Sequence, residues 1–191
     1  MPQPVYVMRR ATTADLKPIA DLLEARRLWL LNRGRRSYGQ GNALLGLLAQ
    51  PDETSMVIGL FTATDNQLRG CSMLFPTAAA APGWTASERR ERAWILTMSH
   101  THPDVRGDRI GWLMTMWASD YAARQPDPPT WMRCRVPHPA LIAHHRDQLG
   151  WQLVRSVRDP DLGEIALMQR RPESSPGLSA VITSRIPVEV L

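Results

Sequence analysis

The chain has 191 residues, 43% apolar and 21% charged, with a formal net charge of +5. That length can bury a sizeable core in one domain, with or without a tail, and the apolar share excludes a disordered chain. The positive charge is almost all arginine, set in small groups such as Arg26-Arg27 and Arg33-Arg35-Arg36, without the dense run of a nucleic-acid-binding arm.

Scattered guanidinium groups suit a small polyanion better than a nucleic acid. Cys71 and Cys134 are too few and too far apart for a metal site, so both are expected as buried thiols of a reducing compartment. Met1-Pro2-Gln3-Pro4 carries no basic start followed by an apolar stretch, and no apolar run is long enough for a bilayer span. The expectation is a cytoplasmic protein with no membrane or nucleic-acid partner.

Val5 to Arg10 begins with β-formers and reads as a first strand. Thr12 and Asp15 have capping-box spacing, and Leu16, Ile19, Ala20 and Leu23 then recur at helical spacing up to Asn32-Arg33-Gly34. Pro18, close to the helix start, predicts an irregular first turn. A Gly/Arg-rich loop, which has the composition of a mobile lid, precedes a short helix over 42–49. Runs at 56–62 and 67–75 around Thr64-Asp65-Asn66 predict an antiparallel hairpin.

A loop over 76–84 and the segment Ser87 to Arg90 lead into a strand over 92–100. Beyond a turn at 101–109, Ile110, Leu113, Met114, Trp117 and Tyr121 line one face of a helix, which Gln125 to Pro129 stops. Trp131 to Val136 reads as a strand, and a helix then runs to Leu149 and ends at Gly150. Strands follow at 151–157 and 164–170. This order predicts an α/β fold with antiparallel pairs early and late and a parallel crossover in the middle. The domain is drawn over 1–171. Residues 172–191 form a linker and an apolar tail, expected to dock as an extra edge strand or to make a homodimer contact.

Arg106-Gly107-Asp108-Arg109-Ile110-Gly111 joins a strand to a helix. The first backbone N–H groups of a helix have no intrahelical partner, and its dipole adds partial positive charge, so such a junction favours an anion. Gly107 and Gly111 leave room for close approach, and Arg106 and Arg109 add charge. The arrangement resembles the signature Gln/Arg-x-x-Gly-x-Gly/Ala of the GNAT superfamily of N-acetyltransferases, with Arg106 first, Gly111 last and Arg109 in place of the middle Gly. His102-Pro103 and Leu149-Gly150-Trp151 also match family habits. The resemblance covers 5–171 in element order and is specific over 96–112 and 140–155.

The resemblance implies a mixed sheet of about seven strands with flanking helices, its fourth and fifth strands splayed around acetyl-CoA. It places Met98, Ser99, His100 and Thr101 along the pantetheine arm, and Arg106, Gly107, Asp108, Arg109, Ile110 and Gly111 around the pyrophosphate. It implies an acetyl group passed from acetyl-CoA to a small-molecule amine by direct attack. The strand carboxylate of many members is Thr97 here, and the usual helix Tyr falls at Arg146, next to His145. Strand alternation puts Thr97 and Ser99 on one face, where they would hold a relay water, and Met98 and His100 on the other. His100, Ser99, His145 and Arg146 are the candidate proton-handling or thiolate-stabilising groups. Tyr38 and Trp84 are candidate substrate contacts with Thr97, and Trp29, Trp112, Trp117 and Trp131 are expected mostly at core positions. No metal is implied. The alternatives are a catalytically silent protein that binds an acyl-CoA or a partner, and acyl transfer involving an acidic carrier protein.

Overall fold

Eight strands form one mixed sheet in the computed structural model of the chain, which describes residues 4–35, 41–50, 55–75 and 82–188. In chain order the elements are β1 (Tyr6–Arg10), α1 (Leu16–Leu31), α2 (Gly41–Ala49), β2 (Met56–Thr62), β3 (Leu68–Phe75), α3 (Ala86–Arg90), β4 (Ala93–Thr101), α4 (Ile110–Ala123), β5 (Trp131–Val136), α5 (Pro139–Leu149), β6 (Gln152–Asp159), β7 (Gly163–Arg170) and β8 (Ile182–Ser184). The strands lie in the order β6-β7-β5-β4-β3-β2-β1-β8. The β4–β5 and β1–β8 pairs are parallel and the other five antiparallel.

Alternation along the strands sends two apolar sets to opposite faces. On one face Trp94, Leu96, Met132, Cys134 and Met168 pack with Leu113, Met114 and Trp117 of α4. On the other, Val57 and Cys71 pack with Ile19 and Leu22 of α1 and Leu44 and Leu48 of α2. Burial pushes the Cys71 thiol up to about 12 and raises that of Cys134 as well, so both stay protonated and inert. Of the tryptophans expected at core positions, Trp117 is fully buried and Trp29, Trp112 and Trp131 are partly buried, with Trp112 and Trp131 packed against core clusters.

The start of α1 follows its sequence signal. Asp15 accepts from the Thr12 backbone N–H at 2.8 Å and holds Arg9 at 2.7 Å, and a 3-10 turn over Thr13–Asp15 precedes the helix. The short helix α3 is an element that the strand-led reading of Ser87 to Arg90 misses. Its signal is Thr85 with Glu88 three residues on: the Thr85 hydroxyl accepts from the Glu88 N–H, and the Glu88 carboxylate accepts from the Thr85 N–H. The eighth strand comes from the tail. β8 pairs with β1 at the sheet edge, and Leu178, Ile182 and Ile186 enter the same core as α4.

Candidate active site

β4 and β5 are paired only at their beginnings, through Ala93↔Trp131, Trp94↔Met132 and Ile95↔Arg133. Beyond that point β5 stays with β7 and β4 stays with β3. Among the described residues, β4 from Leu96 to Thr101 therefore has no strand partner on the β5 side. Its backbone lines a V-shaped opening through the sheet.

At the opening β4 departs from regular geometry. Cys71 faces His100 and Met73 faces Thr97, so Ser72 alone spans Met98 and Ser99, and Met98 takes φ 51°. This is a β-bulge with a non-glycine residue in the left-handed region, a strained conformation of the kind that collects at functional sites. The extra residue shifts the alternation. Thr97 and His100 share the face of α1 and α2, while Ser99 turns to the α4 face, where its Oγ lies 2.5 Å from Ser72 Oγ. The expected pairing of Thr97 with Ser99 on one face, opposite His100, is thereby corrected, and a relay water between Thr97 and Ser99 loses its geometric basis.

The His100 ring is largely buried and its Nε2 has no hydrogen-bond partner among the described residues. Burial, aided by the nearby Arg26 guanidinium, pushes its pKa down to about 4, so the imidazole is neutral at neutral pH. At the last paired position before the V, Ile95 is paired with Arg133, so Arg133 and Arg135 share the face of Thr97 and His100. Arg133 is fully buried, bonds the Glu88 carbonyl at 2.6 Å and pairs with Glu91. Arg135 pairs with Asp159, and its buried Nε lacks a partner among the described residues. Pattern reading missed both arginines as site candidates, although their alternation in Trp131 to Val136 was the available signal.

The expected turn after β4 is two short 3-10 turns over Pro103–Asp108, joined by a kink at Val105. His102 caps it by accepting from the Asp104 N–H at 3.3 Å. Arg109 is the N-cap of α4 at φ 53°, ψ 35°. That left-handed conformation is why glycine suits the position, and an L-residue holds it at a cost of roughly 1–2 kcal/mol. A Cβ added at Gly107 would meet nothing within 4 Å, and one at Gly111 would meet only Thr101 Cγ2, at 3.8 Å. The space outside the start of α4 is therefore open, and Ile110 is buried beneath it. Behind the turn lies a cleft of about 490 Å³ whose wall includes Asp21, Arg69, His102 and Asp104. Two carboxylates against one arginine make it a poor anion site.

The remaining candidates separate. His145 is half-buried on α5, with its Nδ1 2.8 Å from the Leu141 carbonyl and its ring edge against Trp151. The carbonyl can only accept, so Nδ1 carries the proton and Nε2 is an acceptor. Burial lowers the His145 pKa, which disfavours the charged form that an acid would use. Arg146 is exposed and paired with the adjacent Asp147. Trp84 is 3% exposed, with Arg133 4.4 Å from its ring centroid and Arg155 5.9 Å. It supports the arginine wall instead of presenting a free surface. Tyr38 lies outside the described residues. Among the described residues no cluster of His, Cys, Asp or Glu could hold a metal, and no helix is long and apolar enough to cross a membrane.

No protein-family model matches the sequence, and no curated protein matches it. Solved structures do match. A spermidine N-acetyltransferase from Vibrio cholerae, in complex with CoA and spermine, is 13% identical with a TM-score of 0.61 over 87% of this chain and 95% of its own. A ribosomal-protein-S5-alanine acetyltransferase from Vibrio fischeri is 11% identical with a TM-score of 0.64 over 91% and 96%. The aminoglycoside acetyltransferase AAC(6')-Ib, in complex with coenzyme A, is 16% identical with a TM-score of 0.61 over 87% and 94%. The chain has the GNAT acetyltransferase fold.

Proposed function

We propose that this chain, built on the GNAT fold, is an acetyl-CoA-dependent N-acyltransferase that acts on the amine of a small molecule. The single observation that carries the reading is the V between β4 and β5, bordered by a bulged strand and opening toward the uncrowded start of α4. The groups present fit acetyl-CoA. Free strand backbone from Leu96 to Thr101 can bond a pantetheine arm as an added strand would. Gly107, Gly111 and the start of α4 leave room for a pyrophosphate, with Arg106 and Arg109 adding charge.

When bound, acetyl-CoA supplies a thioester whose acyl carbon an amine can attack directly. The chain contributes position first, by holding donor and acceptor on opposite faces of one opening. Backbone N–H groups of the bulged segment polarise the acyl oxygen without a special side chain. On the acceptor face His100 is neutral and a weak base, so it orients the amine by accepting a hydrogen bond at Nε2 while the proton leaves to water. Thr97 lies on the same face but cannot act as a base. His145, neutral and with Nδ1 engaged, is a poor acid, so solvent reprotonates the departing thiolate.

Thr97 in place of a carboxylate and the exposed position of Arg146 favour a second reading, a protein that binds acyl-CoA without turnover. Thiol release from acetyl-CoA against a broad panel of amines separates the two. Release that depends on a particular amine is the expected result, and silence across the panel with acetyl-CoA still bound would favour the second reading.

A further inference from the structure

Three non-glycine residues take a positive φ among the described residues: Asn66 at 54°, Met98 at 51° and Arg109 at 53°. Asn66 lies in the β2–β3 turn and Arg109 at the start of α4, both outside regular structure. Met98 is different, because it lies inside β4. It has no polar side-chain group to bond its own backbone, and its packing against the cluster of α1 and α2 is only partial. A strained residue of this kind persists only where its surroundings hold it.

The hold comes from β3. Ser72 is fully buried and sits opposite the bulge, between the pairs Cys71↔His100 and Met73↔Thr97. Its Oγ donates to the Thr97 carbonyl at 3.1 Å and lies 2.5 Å from Ser99 Oγ. A hydroxyl has one proton, so in the second bond Ser99 donates and Ser72 accepts. One side chain thus ties the residue before Met98 to the residue after it. Two such bonds stabilise by about as much as a left-handed L-residue costs, so together they decide whether the bulge survives.

We propose that Ser72 is a positioning residue for acyl transfer: its hydroxyl locks the bulge at Met98 and so keeps the backbone N–H groups of that segment aimed at the acyl oxygen. The proposal rests on the acyltransfer reading and adds to it a residue behind the opening. Fully buried, Ser72 acts through the backbone of β4 instead of touching either substrate. A relaxed bulge would turn those N–H groups away and leave the thioester bound but unpolarised.

The test reads the carbonyl of the bound thioester directly, by difference infrared spectroscopy of acetyl-CoA with and without a heavy-isotope label at the acetyl carbonyl. Binding to the unaltered protein should move the carbonyl stretch to lower frequency. Ser72→Ala should keep the thermal shift given by acetyl-CoA but lose most of that displacement. Met98→Gly, which takes a φ near 51° without strain, should restore it in the Ser72→Ala background. If Ser72→Ala does not fold alone, Met98→Gly and the double variant carry the comparison and should give equal displacements. An undiminished displacement in Ser72→Ala would overturn the proposal. So would a loss that Met98→Gly fails to restore, or no displacement in an unaltered protein that binds acetyl-CoA. Failure of the unaltered protein to bind acetyl-CoA would instead defeat the acyltransfer reading itself.

Discussion

His100 shows how one position can connect chemistry to stability. Its neighbour in sequence, Ser99, is exposed on the α4 face, while His100 is turned inward against α1. Exclusion from water lowers its pKa from the ordinary 6.5 to about 4, with Arg26 adding to the effect. Between those values the unfolded chain binds a proton that the folded chain rejects. The stability from a neutral His100 is therefore complete above about pH 6.5 and declines as the pH falls toward 4. A shift of that size is worth up to about 3 kcal/mol. Urea denaturation at a series of pH values should show that decline in the unaltered protein and a shallower one in His100→Gln. Some slope should remain, because burial lowers His145 in the same direction. An identical slope in the variant would mean that another group carries the pH dependence.

At the scale of elements, strand and helix order were legible in the sequence because apolar periodicity and turn residues mark them directly. Helix α4 follows its stripe of Ile110, Leu113, Met114 and Trp117, and Gly150 ends α5 at φ 67° as a left-handed cap should. What the sequence did not disclose was the bulge at Met98. A period of two assumes regular pairing, and no glycine at 98 announces an extra residue, so the facing of Thr97, Ser99 and His100 was misassigned. The arginine pair in β5 was hidden for a different reason. Arg133 and Arg135 read as alternating strand residues, and only pairing to Ile95 and to Asp159 shows which opening they border.

The tail was legible as an apolar segment that docks as an extra edge strand, and β8 beside β1 is that strand. It crosses beside α4, and the Tyr121 hydroxyl donates to the Pro187 carbonyl at 2.8 Å. Tyr121→Phe deletes that donor while keeping the ring, which stacks on Trp117 at 4.9 Å between centroids. The expected loss is about 1 kcal/mol. Hydrogen exchange should become faster at Ile182 to Ile186 and unchanged at the centre of α4. Faster exchange throughout α4 would show that the tail and the helix open as one unit.

At the scale of the molecule, the sheet is an apolar platform cut by one opening, with different helices on its two faces. α4 and α5 flank the face that offers room for a polyanion, and α1 and α3 flank the face lined by His100 and the arginines. The excess of arginine over acid in the whole chain suits a CoA-sized polyanion through the open start of α4, without a dense basic surface. Catalytic power on this account comes from positioning and from backbone polarity, which is why the loss of a strand carboxylate and a helix Tyr leaves the reading standing.

Binding of the donor is the most direct test of that account. Acetyl-CoA at millimolar concentration should raise the melting temperature of the unaltered protein by several degrees, since a ligand at about 100 times its Kd adds about 2.7 kcal/mol to stability. Gly107→Val should melt at nearly the same temperature without ligand, because its side chain enters open space. It should lose most of the shift, and Arg106→Glu should lose it as well. No shift in the unaltered protein, or a full shift in Gly107→Val, would contradict a donor seated at the start of α4.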